Sequence, residues 1–266
     1  MKIKLTKYST SAYNQKSKGK PNMTNAIIYG SISSLALMVG AWVGIYFKLK
    51  QKTVARFMAF GSGVLVCALT FGLMEEAFIK GGFDATIGGF ILGGALFIAG
   101  DYLIHALGGR RHRRLQHLVP EGVESSGRVI TLGALLDGIP EAIALGVALF
   151  AGGGTGLLMV VAIALSNSPE GISSISGLKK EKFSNGKIYL IWWIVAILCF
   201  AATVLSFVFL HDVDPNTLGT IEAFAAGAIL AMLADSMMPE AFEEGGFTIG
   251  ILTVLGFLTA FVLAKI

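Results

Sequence analysis

Charge is what this sequence has least of. Only 14% of its 266 residues are charged, against roughly 25% in an ordinary soluble domain, and 54% are apolar. That balance excludes a water-facing globule. Cysteine is nearly absent too. Cys67 and Cys199 both lie in apolar stretches and form no Cys-x-x-Cys pair, which argues against a disulfide framework or a thiolate metal site. Both read as small buried core residues. There is no concentrated basic face either: the net charge of +4 comes from short Lys and Arg runs between apolar blocks, so nucleic acid is not an expected partner. A cleaved signal peptide is not expected either, because the first apolar block, Asn25 to Phe47, is longer than an h-region of about 7–15 residues. No nucleophile constellation or Gly-x-Gly-Asp motif accompanies the acids, so the chain does not read as an enzyme.

What is abundant is apolar length. Crossing a bilayer takes about 20 mostly apolar residues, and this rule predicts an all-α, polytopic membrane protein. Its eight spans fall near 24–47, 54–78, 84–107, 128–150, 154–177, 188–210, 217–242 and 246–264. Residues 1–22 read as a polar, disordered tail, and 23–266 as one transmembrane domain. The basic runs lie in alternate loops, around Lys48 to Arg56, Arg110 to Arg114 and Lys179 to Lys187. The positive-inside rule puts those loops in the cytoplasm and both termini outside. The tail, with its six lysines, disagrees with that rule; a native start at Met23 would remove the conflict.

The chain also repeats itself. Phe60-Gly61-Ser62-Gly63 through Met74-Glu75-Glu76-Ala77-Phe78 and on to Gly81-Gly82-Phe83 aligns without a gap on Phe224-Ala225-Ala226-Gly227 through Met238-Pro239-Glu240-Ala241-Phe242 and Gly245-Gly246-Phe247. The copies fall on spans two and seven, which cross in opposite directions. Inverted repeats of this kind build many transporters, with the substrate bound near the midplane.

The chemistry concentrates on spans four and five. Leu136-Asp137-Gly138-Ile139-Pro140-Glu141 and Leu165-Ser166-Asn167-Ser168-Pro169-Glu170 share a polar-x-x-Pro-Glu core. Asp137 and Glu141 are four residues apart, on one helix face, as are Ser166 and Glu170. A carboxylate at a helix centre costs roughly 2.5–3.5 kcal/mol to insert, so three approach about 10 kcal/mol. A bound cation or a water-filled path offsets such a cost. Each proline also frees the carbonyl four residues earlier, that of Leu136 or Leu165, and these are further oxygen donors. The bland reading is a packing kink with each acid paired to a base. No Lys, Arg or His stands near these acids within either span, which favours the cation site.

Other polar residues read less sharply. Asp235 and Glu240, flanking Pro239 on span seven, either line the path or mark the interface. Glu75 and Glu76 read as solvated, and Asp101 as approaching the inner interface. His105, His112 and His117 read as parts of a solvated basic loop. The repeated glycines read as close helix packing.

The eight spans, the long basic loop after span three, the Pro-Glu motifs and the repeated Phe-x-x-Gly…Glu-Ala spans together resemble the ZIP (Zrt/Irt-like) metal transporters, over about residues 24–266. Members of that family typically read His-Asn-x-Pro-Glu-Gly on span four, with a related motif on span five. Here Asp137 stands at the histidine position and Gly138 at the asparagine, while Glu141 and Glu170 match. Asn167 occupies a place that is often acidic, and Ser166 one that is often His or Gln. The resemblance implies a divalent cation carried toward the cytoplasm as substrate, with no cofactor, by a homodimer in the cell membrane. The metal is zinc by family, or manganese or iron, since an all-oxygen set suits harder ions. Asp137, Glu141 and Glu170, helped by Asn167 or Ser166, form one primary site, because span six offers no carboxylate to bridge a second ion. The alternative is a relative that no longer transports and serves as a membrane sensor or interaction protein.

Overall fold

The computed structural model describes residues 22–47, 49–106, 127–151, 154–180 and 182–265. The tail up to residue 21, the basic run Arg110 to Arg114, His112 and His117 lie outside them, as does the side chain of His105. Among the described residues the elements are all helical: α1 (Met23–Tyr46), α2 (Gln51–Ala68), a π turn (Leu69–Met74), α3 (Glu75–Ala106), α4 (Gly127–Ala151), α5 (Thr155–Lys180), α6 (Asn185–Phe209), α7 (Pro215–Met232), a second π turn (Leu233–Met237), α8 (Met238–Gly245) and α9 (Thr248–Lys265). Seven helical stretches among them are long and apolar enough to cross a membrane. One runs 54 residues, Gln51–Ile104, which at about 1.5 Å per residue is far more than a bilayer requires. It is broken at Gly82, with φ 66° and ψ −166°, at the Gly81-Gly82 punctuation between spans two and three. Only glycine adopts that backbone without strain.

Helix ends follow local chemistry. Asn22 caps α1 by accepting from the Thr24 N–H at 2.9 Å, and Asp214 caps α7 by accepting from the Thr217 N–H at 3.0 Å, both standard N-cap contacts. At the C-terminal end of α1, Trp42, Tyr46 and Phe47 cluster and are about half exposed. They sit beside the first basic run, as an aromatic belt at the headgroup level does. The outer faces of α1, α6 and α9 are apolar and open: Ile28, Leu35 and Val39; Ile194, Ile197 and Leu205; Ile251, Val254 and Leu258. Those faces suit lipid.

The repeat is structural as well as sequential. The two π turns begin at Leu69 and Leu233, equivalent positions of the two copies, and Gly246 repeats the break at Gly82 with φ 67° and ψ −150°. Packing repeats too. Gly227 of α7 lies against the Phe90 carbonyl of α3, and Gly93 of α3 against the Phe224 carbonyl of α7. In the other half, Gly63 of α2 meets the Thr253 carbonyl of α9, and Gly256 of α9 meets the Phe60 carbonyl of α2. Helices that gain nothing by leaving lipid associate through such backbone contact at small residues.

Two hydrophobic clusters result. One joins Leu37 and Ala41 of α1, Ala134 and Ala142 of α4, Ile175 and Leu178 of α5, and Trp192, Val195 and Cys199 of α6. The other gathers α2, α3, α7, α8 and α9 with Leu145 and Ala148 of α4 and Met159 and Ile163 of α5. Helices α4 and α5 therefore lie where the clusters meet.

Gly227→Ala should lower stability by about 1–3 kcal/mol, the usual penalty for overpacking, because its Cβ would overlap the Phe90 carbonyl. Gly88, whose Cβ would meet nothing within 4 Å, is the control. Thermal unfolding in detergent should separate Gly227→Ala from Gly88→Ala; equal midpoints would remove the packing argument.

Candidate metal centre

Pro140 and Pro169 sit inside continuous helices, α4 and α5. A proline deletes one helical hydrogen bond and opens the helix locally. The carbonyl that Pro169 frees, on Leu165, faces α2: a Cβ on Gly61 would stand 3.0 Å from it. It stands close to the α2 backbone there.

The side chains of the two motifs are brought together. Glu141 is 2% exposed and accepts a hydrogen bond from Ser166 Oγ through Oε1, at 3.1 Å. Its other oxygen, Oε2, has no hydrogen-bond partner among the described residues. Ser166 also donates to the Ile163 carbonyl at 3.0 Å, so its hydroxyl is shared. Glu170, half-buried, stands near enough to Glu141 for the two carboxylates to repel. Asp137, on the Glu141 face of α4, is buried. Asn167 is buried as well, and its Nδ2 donates to the Ser33 carbonyl of α1 at 3.1 Å; its Oδ1 has no partner among the described residues. An amide oriented by one bond leaves its oxygen for something else.

These donors are neighbours but not a closed cage. Among the described residues, no three of His, Cys, Asp or Glu already stand close enough to hold an ion. Asp235 is exposed within the second π turn, and Glu240 is half-buried on α8. Asp101 is buried on α3.

Three further residues were not singled out by local pattern. Ser33 holds Asn167 from α1, and the serine pair Ser33-Ser34 in an apolar span was the available signal. Cys199 of α6 is buried, faces Gly138, and lies within electrostatic reach of Glu141 and Glu170. The third is Lys80, which forms a buried ion pair with Glu222 of α7 and lies 3.8 Å from Glu76. Glu76 is therefore not solvated as expected, whereas Glu75 is exposed.

The sequence matches a family model described as ZIP zinc transporter over residues 111–264, more than half of the chain. The chain belongs to the ZIP zinc transporter family. No curated protein is similar enough to count as a match. The matched stretch carries both Pro-Glu motifs, α6 and the second copy of the repeat. Membership makes this a multi-pass membrane protein of a family that transports divalent metal ions.

Breaking the Lys80–Glu222 pair on one side should destabilise strongly, by about 3–5 kcal/mol, because a buried charge is left without its partner. Lys80→Met should show this in detergent unfolding, and the double variant Lys80→Met/Glu222→Leu should recover most of the loss. A single variant as stable as the parent would mean the pair is not structural.

Proposed function

We propose that this ZIP family member carries a divalent metal cation across the cell membrane toward the cytoplasm, through a site between α4 and α5. Glu141 and Glu170 are its central ligands. Asp137 contributes from the face it shares with Glu141, and Ser166 and Asn167 add neutral oxygens. One observation carries the reading: a carboxylate that is almost wholly buried has one oxygen without a partner among the described residues, beside a second acid. Two such charges in an apolar bundle repel each other and lack hydration, and a divalent cation relieves both costs. Because the donors are not already closed into a cage, the ligands draw in around the ion as it arrives.

Division of the 54-residue stretch at Gly82 gives eight crossings, which puts both termini on the outer side under the charge rule. The two hydrophobic clusters suggest the moving parts. The α1–α4–α5–α6 group shifts against the rest, with α4 and α5 at the boundary, and by family analogy two chains pair. Asp235 and Glu240 then line the route away from the centre. The metal is zinc by family, with manganese or iron as the alternatives an oxygen set would admit.

Glu141→Gln keeps the shape and removes the charge. In cells expressing this variant, metal accumulation measured by elemental analysis across several divalent ions should fall to background; undiminished accumulation would overturn the site. Protons compete with the metal for these carboxylates, so uptake into proteoliposomes should weaken as the outer pH is lowered. Metal binding without flux in the wild type would instead favour a non-transporting sensor.

A further inference from the structure

Most buried hydroxyls in this bundle bond to their own helix. Ser33, Ser62, Thr86, Ser166 and Ser206 each donate to a backbone carbonyl three or four residues earlier. Ser34 of α1 and Thr203 of α6 do not. They are 4% and 0% exposed, and neither hydroxyl has a hydrogen-bond partner among the described residues. The two helices pack together here. A Cβ on Gly30 of α1 would stand 3.3 Å from Thr203 Cγ2, and Ser34 is four residues on, on the same face of α1 as Gly30. Ser33, beside it, ties this seam to the proposed cation site. Its carbonyl accepts from Asn167 Nδ2 at 3.1 Å, and Asn167 Oδ1 has no partner among the described residues. Glu222, in the other half, offers the contrast: its Oε2 is unmatched as well, but Lys80 already holds its Oε1.

A hydroxyl or amide oxygen sealed in apolar surroundings without a partner is costly, and ordered water meets that need inside folded proteins. The groups here are two hydroxyls and an amide oxygen, on α1, α6 and α5. All are neutral, and such a set suits water rather than an ion. One helical turn rises about 5.4 Å, about twice an O–H···O bond of 2.7–2.8 Å, so a single water spans hydroxyls one turn apart. We propose that α1 and α6 hold ordered water between them, bonded to Thr203 and Ser34 and continuing to the Asn167 amide, and that the transported cation exchanges its hydration with this water. The role in transport rests on the site assigned under Proposed function; the water itself does not. Among the described residues, no three of His, Cys, Asp or Glu stand close enough to hold an ion. A cation therefore arrives with part of its water shell, and the seam gives that shell bonding partners inside the bundle.

Buried water is read out by a brief X-ray pulse, which turns it in place into hydroxyl radicals that oxidise the sulfur side chains beside it. The reporters are Met38, one turn beyond Ser34 on α1, and Cys199, one turn before Thr203 on α6, which are 9% and 4% exposed. Cys67 and Met159, both 0% exposed in the other cluster, are the controls. In the full-length protein, Met38 and Cys199 should be oxidised several-fold faster than the controls; equal rates would overturn the water site. Thr203→Val keeps the shape and removes the hydroxyl, so the reporter rates should drop and the unfolding midpoint should fall by about 2–4 °C. A dry, unmatched hydroxyl would make the valine variant the more stable one, and that result would also overturn the site. Metal uptake into proteoliposomes should fall several-fold in Ser34→Ala/Thr203→Val; full uptake with the labelling lost would overturn the role in transport. Glu141→Gln separates the two readings. If it abolishes uptake while the reporters match the controls, the cation site stands and the water falls. If it leaves uptake intact while the reporters are labelled, the cation site falls with the hydration role, and the water between α1 and α6 stands.

Discussion

Backbone-to-backbone contact holds this fold together. Inside hydrocarbon, helices gain little by burying one another's apolar side chains, so association depends on how closely their axes approach. Three pairs solve this in the same reciprocal way: a glycine on each partner lies against a carbonyl of the other. Gly93 and Gly227 do so between α3 and α7, Gly63 and Gly256 between α2 and α9, and Gly40 and Gly171 between α1 and α5. The last pair matters most for the chemistry. Gly40 meets the Ser168 carbonyl, one residue from Pro169 and two from Glu170, so the approach of α1 fixes the segment that carries the second acid.

With that frame set, the polar groups fall into two arrangements. Between α3 and α7, Lys80 balances Glu222 and lies near Glu76. A base sealed among acids leaves little attraction for a mobile cation. Between α4 and α5, Glu141 accepts from the Ser166 hydroxyl, and the Asn167 amide beside it is held by the Ser33 carbonyl. The first arrangement is an ion pair fixed between two helices; the second, where one buried Glu141 oxygen has no hydrogen-bond partner among the described residues, is the ground of the proposed cation site.

Much of this was legible in the residue order. Apolar length gives the spans, and the gapless match of Phe60–Phe83 on Phe224–Phe247 foreshadows paired glycine breaks and paired π turns, because equal local sequences meet equal local constraints. The Pro-Glu motifs give the side chains of the proposed site for the same reason: four-residue spacing fixes which of them share a face. What escaped lies across helices. Nothing in the neighbourhood of Cys199 says that it faces Gly138, and nothing near Lys80 says that its partner is Glu222. Both facts depend on which helices pack, at what height and in what rotation. Cys199 was read as buried core, and it is buried in the cluster of α1, α4, α5 and α6; what local context could not give is the rotation of α6 that sets it against Gly138.

The two π turns have a consequence of their own. Each widens one turn by about one residue, which rotates everything that follows by roughly 100° relative to an uninterrupted α-helix. Glu76 follows the first and Glu240 the second. The rotation, and not the spacing of letters, decides which wall of the bundle each acid meets. A family alignment that slips by one letter through either turn would therefore keep every helix yet assign these acids to the wrong neighbours.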